Sequence, residues 1–231
     1  MIPLRDGVST VSRTRDLALV FDLDGVIVDS NAMHGVSWRA YLRSFGVEAP
    51  VGFEQGMFGK HNNEIVRSVF GAGLDDAEVL LHGARKEKLY RKMMGPVLKR
   101  HLVPGLLEFL ERHRDFPMAV ASNAERANVD FVLDRAGIRD FFRVALDGGQ
   151  VRKPKPEPEI YLRAAKLLGT PSANCIVFED SQVGVQAARS SGARVVCLLT
   201  THSGLPHVDL TIRDFLDPVL GTWLTGQMPV L

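Results

Sequence analysis

After residue 105 the chain alternates short apolar runs with amphipathic stretches, and this alternation restricts it to a sheet of parallel strands with helices between them. The spacing predicts strands at Met118-Ala119-Val120-Ala121, Arg143-Val144-Ala145-Leu146, Cys175-Ile176-Val177-Phe178 and Arg194-Val195-Val196-Cys197-Leu198. It predicts helices over Arg126 to Ala136, Glu159 to Leu168 and Gly184 to Ser190. Gly137, Gly169 and Gly192 fall just past those helices, where a left-handed residue closes the last turn. The fold class expected is α/β, a doubly wound parallel sheet. Ligands of such sheets bind beyond the carboxyl ends of the strands.

An earlier run, Leu17 to Phe21, is also strand-like and ends in Asp22-Leu23-Asp24-Gly25-Val26. Residues i and i+2 of an extended chain point to one side, so Asp22 and Asp24 can converge on a small volume. Two such carboxylates repel unless a cation lies between them or one is protonated. The arrangement suits Mg²⁺ and phosphate chemistry; an ordinary Asp-Gly turn is the plainer alternative. Asp22, Ser122 and Glu179-Asp180 all follow a predicted strand, where the fold places its ligands.

Residues 31–103 contain no strand-like run. Met33 to Phe45, Asn62 to Phe70 and Asp76 to Met94 read as amphipathic helices, an insert between the first strand and the rest of the sheet. Pro104 opens the next predicted helix, Gly105 to Arg112. The segments are therefore a flexible extension over 1–16, a core over 17–30 and 104–231, and a helical insert over 31–103.

Lys and Arg number 28 against 27 Asp and Glu, so bulk charge draws the chain to neither nucleic acid nor a membrane. No apolar run approaches the roughly 20 residues of a membrane span. Residues 1–16 lack the apolar stretch of a secretory signal. Cys175 and Cys197 lie in strand-like runs and read as buried free thiols. A cytoplasmic monomer is expected.

Asp22-Leu23-Asp24-Gly25-Val26 resembles the DxDG(T/V) signature of the haloacid dehalogenase-like hydrolases, mostly Mg²⁺-dependent phosphatases. Ser122, Lys155 and Glu179-Asp180 match three further motifs in the family's order. The likeness is greatest to the β-phosphoglucomutase-like subfamily with a small helical cap, so the resemblance makes the insert a cap that closes over the site. It implies Asp22 as nucleophile, forming an aspartyl-phosphate, and Asp24 as general acid and base. It implies Mg²⁺ held by Asp22, Asp180, Glu179 directly or through water, and the main-chain carbonyl of Asp24.

Acids after an apolar strand could otherwise complement a helix N-terminus, and Ser122 alone could be an N-cap rather than a phosphate ligand. Lys153-Pro154-Lys155-Pro156 offers two starts to the family's Lys-Pro-x-Pro pattern, and Lys155 fits the following helix better. That lysine would neutralise the phosphoryl group. Asn123 beside Ser122, His34 in a His-x-x-x-Trp pattern with Trp38, and Lys60 and His61 of the cap loop are candidate substrate contacts. Arg126 and Lys92 could meet a distal anion or be plain surface charges. The cap loop lacks the arginine with which sugar-phosphate mutases grip a distal phosphate.

The expected function is Mg²⁺-dependent hydrolysis of a small phosphorylated metabolite, a sugar or polyol phosphate. A phosphomutase using the same aspartates is the alternative, and a non-enzymatic phosphometabolite-binding protein the alternative of another class.

Overall fold

The computed structural model describes residues 17–53 and 62–227. Lys60, His61 and the extension over 1–16 lie outside those residues. Six strands form one sheet: β1 (Ala18–Phe21), β2 (Met118–Ala121), β3 (Val144–Leu146), β4 (Cys175–Glu179), β5 (Arg194–Leu198) and β6 (Leu210–Ile212). Their order is β3-β2-β1-β4-β5-β6, and every neighbouring pair is parallel. The central strands are buried on both faces, which is why they read as unbroken apolar runs rather than alternating ones.

Helices α1 (Asn31–Arg43), α2 (Asn62–Phe70) and α3 (Asp76–Met94) come from the insert. Helices α4 (Leu106–Arg112), α5 (Arg126–Ala136), α6 (Glu159–Leu168), α7 (Gln182–Ser190) and α8 (Pro218–Gln227) flank the sheet. One face buries Leu106 and Leu110 of α4, Val129, Val132 and Leu133 of α5, and Leu220 and Leu224 of α8. The other face buries Ile160, Tyr161 and Ala164 of α6 with Val185, Ala187 and Ala188 of α7. Phe21 and Phe178 pair in register across β1 and β4, with ring centroids 4.8 Å apart and planes 10° from parallel. Phe109 and Phe215 pack on these rings at centroid distances of 6.2 and 6.2 Å from Phe21. Each such buried side chain contributes roughly 1.5–3 kcal/mol. The rings anchor β1 and β4 one residue before the acids that follow them.

The insert carries its own apolar cluster, built from Trp38, Tyr41 and Leu42 of α1, Ile65 and Val66 of α2 and Val79 of α3. Its two crossings to the sheet run side by side. Asp29 N donates to His101 O at 2.8 Å and Val103 N to Ile27 O at 3.1 Å. Pro104 does not occupy the first turn of α4; Gly105 precedes that helix at φ 77°, a left-handed turn that glycine adopts without strain. Helix α7 starts two residues earlier than its apolar pattern indicates, because Ser181 caps it by accepting from Gly184 N at 3.1 Å. Cys175 and Cys197 are buried and free. Among the described residues no helix is long and apolar enough to cross a membrane.

Candidate active site

In this strand order the chain reverses its winding between β1 and β4, which opens a crevice at their carboxyl ends. Asp22 follows β1, and Glu179 and Asp180 end β4, so all three acids meet there. Each offers an oxygen within 4.8 Å of the others, and all three are buried. Lys155 reaches the same point from the loop before α6. Its Nζ donates at 2.7 Å to Asp22 Oδ1 and at 2.7 Å to Glu179 Oε1. Burial pushes this ammonium's pKa down, but the charges of Asp22 and Glu179 outweigh that and raise it. Lys153 is exposed, and Glu159 holds only its backbone N–H, so Lys155 is the cation of the site.

Glu179 accepts five hydrogen bonds. Lys155 and Tyr161 Oη share Oε1, while the Asp180 and Ser181 amides and Ser181 Oγ share Oε2. Burial alone would raise its pKa, yet Lys155 and these donors hold it below the ordinary value. Glu179 thus orients Lys155. The barer oxygens are Asp22 Oδ2 and Asp180 Oδ1, which accept no hydrogen bond among the described residues. Burial, then the neighbouring Glu179, pushes Asp22 up to about 7 against the pull of Lys155. Asp180 is raised well above its ordinary value by burial and by the charges of Glu179 and Asp22. Three buried carboxylates face one lysine, so the cluster lacks positive charge. Its all-oxygen donor set fits a hard dication such as Mg²⁺.

Two glycines make room for these acids. A Cβ on Gly25, whose φ is 76°, would fall 1.8 Å from Asp180 Oδ2, and one on Gly184 1.8 Å from Glu179 Oε1. Thr201 Oγ1 donates to Asp180 Oδ2 and accepts from Asn31 Nδ2 at 2.6 Å, tying the acid to the start of α1.

Asp24 lies two residues from Asp22, with its side chain 30% exposed. Ser30 Oγ donates to its Oδ1 at 2.6 Å, and His34 Nε2 lies 3.5 Å away. Burial raises its pKa, but these two partners more than offset that and leave it below the ordinary value. His34 stacks on Tyr90 at 3.9 Å, and its Nδ1 lies 2.7 Å from Lys86 Nζ. Lys86 also donates to Glu87 Oε1 at 2.8 Å, and Asn128 Nδ2 donates to Glu87 Oε2 at 2.7 Å. This chain of contacts joins Asp24 to α3 of the insert and to α5 of the core.

Ser122 is buried at the mouth of β2, and its Oγ accepts from Ala124 N at 3.1 Å. Asn123 lines the cavity but is committed to the lysine loop. Its Oδ1 accepts from Lys155 N at 3.1 Å, which makes it a brace for Lys155 more than a substrate contact. Arg126 is not among the residues lining the cavity; it pairs with Asp130 at 2.8 Å along the outer face of α5. Lys92 is exposed and also lies outside the cavity lining. The cavity measures about 1190 Å³, enough for a phosphorylated sugar.

Comparison with known proteins bears on the family and the fold. The sequence pattern of the haloacid dehalogenase-like hydrolases matches residues 17–192. Protein CbbY of Rhodobacter capsulatus is 30% identical across 93% of this chain and 98% of its own length. The fructose-1-phosphate phosphatase YqaB of Escherichia coli K12 is 29% identical, covering 79% of this chain and 96% of its own. The crystal structure of β-phosphoglucomutase from Clostridium difficile superposes with a TM-score of 0.76 at 24% identity, covering 91% and 96% of the two chains, and at that identity attests the fold. With a matching pattern over most of its length and a fold to go with it, the chain belongs to the haloacid dehalogenase-like hydrolases.

Proposed function

We propose that the protein is a Mg²⁺-dependent phosphatase for a small sugar or polyol phosphate, working through an aspartyl-phosphate on Asp22. The observation that carries this reading is the convergence of Asp22, Asp180, Lys155 and Ser122 on one crevice, with Asp24 intact beside them. The relative named as a fructose-1-phosphate phosphatase supports the substrate class. Asp22, Asp180 and the main-chain carbonyl of Asp24 would hold the ion, with Glu179 alongside. When bound, Mg²⁺ would offset the negative charge of the cluster and of the phosphoryl oxygens.

Asp22 attacks phosphorus as its bond to the ester oxygen breaks, and Asp24, entering this step as the carboxylic acid, gives that oxygen its proton. Asp24 then takes a proton from water, which attacks the phosphoenzyme, and the Asp22–phosphorus bond breaks to release inorganic phosphate. Lys155 and Ser122 bind the transferring phosphoryl oxygens throughout. The 31–103 insert, hinged at its paired crossings, closes over the crevice as a cap.

The test is phosphate release from a panel of phosphorylated metabolites and an aryl phosphate, with and without Mg²⁺. Metal-dependent release from a sugar or polyol phosphate is expected. An inert panel, or release that a chelator leaves unchanged, sinks the reading.

A second expected result concerns stability. In the metal-free protein Asp22 keeps its proton up to about pH 7, whereas the unfolded chain loses it near 3.8. The raised pKa therefore contributes stability that is complete below the unfolded value and disappears as pH rises through about 7. Mg²⁺ competes with that proton, so its stabilising effect must grow with pH. Thermal melts at pH 5.5 and pH 8 should show a larger Mg²⁺-induced rise in Tm at pH 8. Equal rises at both would place the ion elsewhere.

A further inference from the structure

Two adjacent threonines, Thr200 and Thr201, follow β5 and reach across to the ends of β1 and β4. Leu199 N donates to Ile212 O of β6 at 3.0 Å, which fixes the backbone just before them. Thr200 Oγ1 donates to Gly25 O at 2.6 Å, one residue past Asp24. Thr201 Oγ1 donates to Asp180 Oδ2 and accepts from Asn31 Nδ2 at 2.6 Å. One short segment thus holds the turn after β1, the acid at the end of β4 and the first residue of α1.

The direction of these bonds follows from what each group can give. An amide nitrogen only donates, and a hydroxyl carries one proton. With the Asn31 N–H on its oxygen, Thr201 has its own proton left for Asp180. Thr200 Oγ1 lies 3.4 Å from the same carboxylate oxygen but commits its proton to Gly25 O at the shorter distance, so Thr201 is the donor on which Asp180 Oδ2 depends. That oxygen also lies against Gly25, where a Cβ would fall 1.8 Å from it. Asp180 is therefore confined on its Oδ2 side by Gly25 and by Thr201. Its Oδ1, which accepts no hydrogen bond among the described residues, is the oxygen left for an ion. A carboxylate held in this way meets a metal without first losing rotamer freedom.

Resting on the Mg²⁺ reading above, we infer that Thr201 is a positioning residue for the metal site, orienting Asp180 for the ion, with Asn31 directing the threonine hydroxyl. Neither side chain is itself an ion ligand. Asn31 opens α1 of the insert, so the carboxylate is steadied from the insert as well as from the sheet.

Mg²⁺ affinity is read from the rise in Tm of the full chain across a Mg²⁺ titration at pH 8. Thr201→Val keeps the side-chain shape and deletes the hydroxyl. It should raise the apparent Kd about tenfold or more, the scale on which loss of a ligand's hydrogen-bond partner is felt. Thr201→Ala, which asks for less room, should do the same. Thr201→Ser keeps the donor and should stay within about threefold of the native Kd. Asn31→Ala should weaken binding in the same direction by less. A purely structural threonine would lower the metal-free Tm without moving the Kd. In aryl phosphate turnover, the Mg²⁺ concentration for half-maximal rate should rise by a larger factor than kcat falls. Native or tighter Mg²⁺ affinity in both Thr201→Val and Thr201→Ala, a Thr201→Ser protein as weak as they are, or an Asn31→Ala protein with native affinity overturns the inference. A native protein whose Tm ignores Mg²⁺ is a different result: it overturns the Mg²⁺ reading itself, and the inference with it.

Discussion

Asp22→Asn is expected to abolish hydrolysis while making the metal-free protein more stable. The amide cannot serve as the attacking oxygen, and no neighbouring carboxylate can replace it. Asp180 is turned toward Thr201, and Glu179 has both oxygens bonded. A fall in kcat of about 10⁴-fold or more is expected, the scale on which loss of a nucleophile is felt. The stability gain has a different origin. The Asp22 carboxyl is raised from 3.8 to about 7 because burial and the adjacent Glu179 oppose its charge. Replacing it by a neutral isostere removes that opposition, and Lys155 keeps Glu179 as a partner at 2.7 Å. A gain of about 1–3 kcal/mol above pH 7 is expected, less than the full shift at 1.36 kcal/mol per unit because the amide is itself a polar group buried in the cluster. Sign matters here: the gain must shrink as pH falls through 7, where native Asp22 becomes protonated. Denaturant melts of both proteins without metal at pH 5.5 and pH 8, beside aryl phosphate turnover, check both halves. Retained turnover would remove Asp22 as nucleophile. A loss of stability at pH 8 would show that the ion pair outweighs burial.

The sheet was largely legible because parallel strands are buried on both faces and leave continuous apolar runs, as at Met118–Ala121 and Cys175–Glu179. Strand β6 escaped notice because an edge strand of three residues, Leu210–Ile212, is too short to carry a pattern. Helix α8 was hidden by Gly221, Thr222, Thr225 and Gly226, poor helix formers that packing of Leu220 and Leu224 overrides. In the site, the motif acids stand out because charge at the end of an apolar strand is conspicuous, and Lys155 only through its likeness to the family's Lys-Pro-x-Pro pattern. Lys86 and Glu87 were not. In Ala84-Arg85-Lys86-Glu87-Lys88 they read as part of a solvated helix face, and only the packing of α1, α3 and α5 buries them together. Tyr161, Thr200 and Thr201 were equally silent, since their hydroxyls acquire a role only through partners distant in sequence. For Arg126 the sequence does not show that Asp130, one turn on, takes its guanidinium as a partner.

Lys155→Ala should damage activity and folding together, whereas Lys153→Ala should leave both nearly unchanged. Lys155 Nζ is the only ammonium touching the acidic cluster among the described residues, bridging the buried Asp22 and Glu179. Removing it leaves two buried carboxylates without a cation, a change that costs about 3–5 kcal/mol when one partner of a buried pair is deleted. It also removes a preorganised donor to the phosphoryl oxygens, worth about 10²–10³ in rate. The two effects separate by their response to Mg²⁺ and pH. A dication bound at Asp22 and Asp180 restores part of the charge balance, so saturating Mg²⁺ should recover stability but not rate. Without metal, and without the ammonium that pulls its pKa down, Asp22 holds a proton more readily than in the native protein, so the stability defect must be smaller at pH 5.5 than at pH 8. Lys153 is exposed, and its backbone N–H is what Glu159 holds at 3.0 Å, so truncating its side chain should change stability by less than about 0.5 kcal/mol. Urea melts of both variants at the two pH values, with and without Mg²⁺, read the stability side, and turnover of an aryl phosphate at saturating Mg²⁺ reads the chemistry. Equal effects of the two substitutions would mean that the Lys155 contacts with Asp22 and Glu179 do not govern the site. A rate restored by Mg²⁺ alone would reduce Lys155 to a counter-ion with no part in phosphoryl transfer.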